Sequence, residues 1–147
     1  MNTPRTTAIA VIVTGLAAFA CSIVWYSPLL FGSVWMEYRG AAVATTPDWT
    51  FAFAPLREIL TACLLAWLIG RLAVRDWRSA LALGFTLWAA FYLVQLAGAV
   101  IWDKMPWQLG AVHAGDWLMK MLLMSAMLAL WLRPNADRQP ANVGASA

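Results

Sequence analysis

The chain has 147 residues, of which 63% are hydrophobic, against about 45–50% in an ordinary soluble protein. Its ten basic and seven acidic side chains are 12% of the sequence, about half the usual share of roughly 25% and too few to cover a small soluble domain. A water-soluble enzyme, a nucleic-acid-binding module and a disordered chain are excluded; the net charge of +3 is scattered between apolar blocks rather than gathered on one basic face.

The expected fold is all-α: a four-helix transmembrane domain over residues 1–133, with spans at about 7–26, 54–72, 79–102 and 107–132. Each is long enough for the roughly 20 apolar residues that a bilayer requires. The first run carries no charge from Thr6 to Met36. Arg5 followed by Ala8–Ala20 has the outline of a signal peptide with a cut at Ala18-Phe19-Ala20. The apolar run continues unbroken through Ile23-Val24-Trp25-Tyr26, so this segment is read as a span. Pro28 ends the helix, and Leu29–Met36 is apolar but too short to cross. That places a short interfacial helix or a re-entrant turn in the first loop, before an irregular stretch at 41–48. The second span carries Arg57 and Glu58, the third none, and the fourth Asp116 and Lys120. The tail at 134–147 has few large apolar groups and is expected to be disordered.

Lys and Arg in short loops set orientation. Arg5, Arg71, Arg75, Arg78, Arg133 and Arg138 fall on one side; Arg39, Arg57 and Lys104 fall on the other. Both termini are therefore expected in the cytoplasm, with the chain in a bacterial inner membrane. Trp25, Trp35, Trp49, Trp102 and Trp107 fall at the outer boundary and Trp77 and Trp131 at the inner one, where amphipathic rings settle. Trp67, Trp88 and Trp117 lie within spans and are expected to pack. Cys21 and Cys63 lie in apolar runs and read as small hydrophobes.

The block Trp25-Tyr26-Ser27-Pro28-Leu29-Leu30-Phe31-Gly32, followed by Trp35-Met36, resembles the opening signature of the domain of unknown function 1761 family, small bacterial membrane proteins. The resemblance continues at Leu83–Trp88, at Pro106-Trp107-Gln108-Leu109 and through the Met-rich last span to Trp131. It implies a four-helix membrane domain with no established activity, so no catalytic residue is carried over. It departs where the last helix opens: His113-Ala114-Gly115-Asp116 stands in place of an Asn-Ala-Gly-Tyr-like segment. The charged stripe there is thus expected to be particular to this chain.

Ionisable groups inside a span are costly, about 2.5–3.5 kcal/mol each near the centre on insertion scales. His113, Asp116 and Lys120 are spaced by three and four residues and share one helix face. One reading is a self-neutralising Asp116–Lys120 pair whose lysine snorkels outward. Another is a substrate-coordinating or proton-accepting carboxylate with His113 as relay, and a third is a site for a partner's charge. Arg57 and Glu58 follow Pro55, which suits a first helical turn and would leave both near the headgroups. If the helix instead starts near Phe51, they sit deeper and complete a cluster with Asp116 and Lys120. Gln95 is expected to share a packing face with Gly84, Trp88, Phe91 and Gly98. No CxxC, HExxH, P-loop or Ser/His/Asp spacing occurs, so no catalytic, cofactor or metal residue is assigned. Function is expected to be non-enzymatic, structural or accessory. The alternatives are a small transporter or channel using the Asp/Lys/His stripe, and a membrane enzyme acting on lipid or quinone. The partners foreseen are the bilayer and either a second copy or another membrane protein.

Overall fold

A computed structural model describes residues 4–39, 49 and 52–132; the tail at 134–147 and the stretch at 41–48 lie outside the described residues. The described chain is helical: α1 (Pro4–Trp25), α2 (Gly32–Arg39), α3 (Phe53–Arg71), α4 (Trp77–Ile101) and α5 (Trp107–Trp131). All except α2 are long and apolar enough to cross a membrane, and their bounds fall within three residues of the expected spans. The short helix foreseen in the first loop is α2.

α5 is the hub. It packs against α1, α3 and α4, and α2 rests on it as well. α1 also packs closely on α3, because Gly15 lies where a Cβ would come 2.8 Å from the Cα of Ile59. Small residues of this kind let helices approach where lipid gives no hydrophobic drive to association. α3 and α4, by contrast, make little contact with each other. The buried apolar core, with Ala10, Ala62, Leu65, Ala80, Met124 and Leu128 nearly inaccessible, fills the half of the bundle away from α2.

The turns follow from local chemistry. α3 ends in a left-handed residue, Ala73 (φ 51°), with Val74 N–H bonded to Ile69 O and Ala73 N–H to Gly70 O, the Schellman arrangement of a helix terminus. Asp76 then caps α4 by accepting from Ser79 N–H at 2.9 Å. At the other end, the Trp25–Gly32 block folds back on itself. Phe31 N–H bonds to Trp25 O and Gly32 N–H to Ser27 O, while Ser27 Oγ donates to Val24 O. A Cβ on Gly32 would meet Tyr26 O at 2.5 Å, so only glycine fits. This turn seats α2 over the end of the bundle.

α4 carries a π-helical turn, Trp88–Leu93, and here one expectation is overturned. A π turn adds a residue to the helical cycle, so the inward face passes from Gly84 and Trp88 to Tyr92 and Leu96. Gln95 and Phe91 are exposed instead. Gly84 does pack across an interface, against Ser125 and Met121 of α5. Among the described residues a Cβ on Gly98 would meet only Trp102 of its own helix end, and Gln95 is turned to the outside. Trp88 and Trp117 pack against the core as expected, whereas Trp67 is 61% exposed. Cys21 is half-buried and Cys63 exposed, both as free thiols.

Candidate functional site

α3 begins at Phe53, two residues before Pro55, which therefore sits at the third helical position, still within the turn where proline costs little. That shift moves Arg57 and Glu58 into the second turn, and Glu58 enters the bundle with no exposed surface. The bland placement near the headgroups is corrected: Glu58 meets the charges of α5.

Lys120 is the centre of the cluster. Its Nζ lies 2.8 Å from Asp116 Oδ2 and 2.9 Å from Glu58 Oε1, and its side chain is wholly buried, so it does not snorkel outward. Asp116 Oδ1 accepts from Ser22 Oγ of α1 at 2.7 Å. Glu58 Oε1 also accepts from Arg57, from Nη2 at 2.7 Å and from Nε at 3.3 Å. Two carboxylates and two cations thus cancel in net charge across α3 and α5, with α1 supplying a hydroxyl. The ring of Trp117 serves both cations, 4.3 Å from Lys120 Nζ and 4.9 Å from Arg57 Cζ, an attraction strengthened by desolvation.

The arrangement is not fully satisfied. Glu58 Oε2 is buried without a hydrogen-bond partner, and a buried polar atom left so costs about 1–3 kcal/mol. Replacing buried ion pairs by apolar residues of similar size is often neutral or stabilising. The cluster is therefore a poor device for stability alone.

The polar side opens into a cavity of about 530 Å³ towards the α2 end, with Tyr26, Arg57, Tyr92, His113, Asp116 and Trp117 in its wall and Trp35 of α2 over it. His113 is brought to this cavity but not bonded to Asp116: its Nδ1 lies 2.8 Å from Tyr26 Oη. Trp25 and Trp88 fix the opening turns of α5 by donating to the Val112 and Ala114 carbonyls at 3.1 and 3.0 Å. The Trp-Tyr-Ser-Pro block is thereby explained: it turns the chain, anchors α5 and aims Tyr26 at His113.

Of the residues picked from sequence, His113, Asp116, Lys120, Arg57 and Glu58 are assembled in one place. Helical spacing and charge do not single out Ser22, Tyr92 or Trp117 as site residues, and Tyr26 enters only as part of the signature block. Ser22 stands one helical turn before Tyr26, a signal the sequence did contain. Tyr92 could not be found by a 3.6-residue period, because the π turn brings it in.

No curated protein and no solved structure matches the chain. The family model described as Protein of unknown function (DUF1761) matches residues 9–129, which takes in every helix that builds the cavity, and the chain belongs to that family.

Proposed function

We propose that the chain is a non-enzymatic membrane protein of the small-transporter type, which binds a solute in the cavity beside Asp116. The observation that carries this reading is that two members of a costly charge cluster, Asp116 and Arg57, stand in the wall of an open cavity, with Lys120 and Glu58 buried behind them. Lys120 already bridges two carboxylates. A solute entering the cavity meets the half-exposed guanidinium of Arg57, while Asp116 keeps Lys120 and Ser22 as its partners.

We place the chain in a bacterial inner membrane with both termini cytoplasmic. Supporting this, Arg57 is drawn into the cluster, leaving Arg39 and Lys104 as the outer loop cations against Arg5, Arg71, Arg75, Arg78, Arg133 and Arg138. The cavity then opens outward. A structural or accessory role is the second reading, and the mutual pairing of all four charges favours it.

Water access separates the two. In a Cys21→Ser, Cys63→Ser background, Ala54→Cys on the cavity wall reacts with a membrane-impermeant maleimide added to vesicles. Met124→Cys in the apolar core does not. Equal inertness of the two positions contradicts a solute site.

A further inference from the structure

Beside the polar cavity lies a second space of about 340 Å³ between α3 and α4, walled by apolar groups including Leu64, Leu65, Leu87, Phe91 and Met121. It exists because α3 and α4 make little contact with each other, so it faces sideways, where lipid chains lie. Its wall is otherwise apolar apart from Thr61, whose Oγ1 donates to the Arg57 carbonyl at 3.0 Å, and the Tyr92 phenol and Trp88 and Trp117 rings at its edge.

Tyr92 and Trp117 belong to both walls. Their rings stand 4.9 Å apart between centroids and mark the boundary where the polar space meets the apolar one. On α3, Arg57, Thr61 and Leu64 follow at helical spacing, so the same face passes from charge to hydrocarbon within two turns of 5.4 Å. Arg57 gives Glu58 Oε1 two of the five N–H donors a guanidinium carries, and its side chain is 54% exposed.

We infer that the ligand is a single-chain amphiphile with an anionic head, the head held by Arg57 in the cavity and the chain lying in the α3–α4 groove. This rests on the solute-site reading and names the substrate class. A carboxylate and a phosphate monoester share the required chemistry, since both accept charge-assisted hydrogen bonds from guanidinium. A neutral head of equal chain length lacks it.

The test is photolabelling of the full chain in detergent with a palmitic acid carrying a chain diazirine. The competitors are unlabelled palmitate, palmitoyl lysophosphatidic acid and hexadecanol. Label is expected on Leu64, Phe91 and Tyr92, displaced by palmitate or the lysophosphatidic acid, whichever head is bound, and not by hexadecanol. Arg57→Gln should weaken saturable labelling by about tenfold or more, as loss of a charge-assisted bond implies. Leu64→Trp, which fills the groove on an exposed face away from the cluster, should abolish it with the melting temperature unchanged. Label spread over the outer face of α1 at Ile12 and Leu16, indifferent to both variants, overturns the inference: the groove then holds bulk lipid only. If Ala54→Cys is at the same time reactive, the solute site survives and the amphiphile alone is lost. If Ala54→Cys is inert, both are.

Discussion

Lys120 and Met124 stand one turn apart on α5, both fully buried, and the bundle differs sharply on either side of them. Beyond Met124, towards the end away from α2, the helices meet through Ala10, Ala62, Ala80 and Leu128, with only the uncharged hydroxyls of Thr14 and Ser125 as buried polar side chains. From Lys120 towards α2, the interior holds Glu58, Asp116 and Ser22 in one connected network with a cavity above it. In a bilayer, apolar packing and polar pairing both hold helices together. The apolar half shows that this chain packs four helices without charge, so the charges in the other half call for a separate reason.

Removing one charge breaks the comparison most strongly. Lys120→Met leaves Asp116 without a cation and Glu58 with Arg57 alone. A broken buried pair costs about 3–5 kcal/mol, so thermal melting in detergent should show the largest loss of any single substitution considered. Gly84→Ala comes next, because its Cβ would press on Ser125 and lie 2.9 Å from the Met121 carbonyl. Overpacking of this kind costs about 1–3 kcal/mol. Gly98→Ala meets only the Trp102 ring, at 3.0 Å, and should stay within about 0.5 kcal/mol. Equal losses at the two glycines, measured by the same melts, would contradict the register shift produced by the π turn.

That register shift also marks the limit of what the sequence discloses. Hydrophobic length and Trp placement locate the spans to within three residues, because a bilayer imposes one crude requirement on every helix. The His113, Asp116 and Lys120 stripe is legible because three and four are helical intervals. Glu58 is misplaced in part by the start of α3: proline is tolerated at the third position of the first turn as well as at its first, and no local signal chooses between them. Gln95 and Tyr92 exchange faces because one added residue in a helical cycle leaves no trace in composition. The contact from α3 to α5 depends on how helices meet, which periodicity within one helix does not encode.

Smaller effects sharpen the picture at the end away from α2. Ala73 holds a left-handed conformation that costs an L-residue roughly 1–2 kcal/mol, so Ala73→Gly should raise the melting temperature by about 1 kcal/mol of added stability. At Asp76, hydrogen bonding to the Ser79 side chain, and then to its backbone N–H, holds the carboxyl below its ordinary value of 3.8. A carboxyl whose folded value is depressed stabilises the fold above the unfolded value, and that contribution fades as pH falls through the folded one. Melting curves from pH 6 down to 3 should therefore show a small acid loss in the natural chain that Asp76→Asn, which still caps the helix, does not share. The cap is solvent-exposed and far from the cluster, so this loss should persist unchanged in Lys120→Met.

The decisive measurement compares melting temperatures of the natural chain, Lys120→Met, and Glu58→Met with Asp116→Leu and Lys120→Met together. If the cluster serves binding, the triple variant recovers the stability lost by the single one and melts at or above the natural chain, since apolar groups replace a costly network. If the triple variant melts as low as Lys120→Met, the charges pin the helices together, and the solute-site account is contradicted.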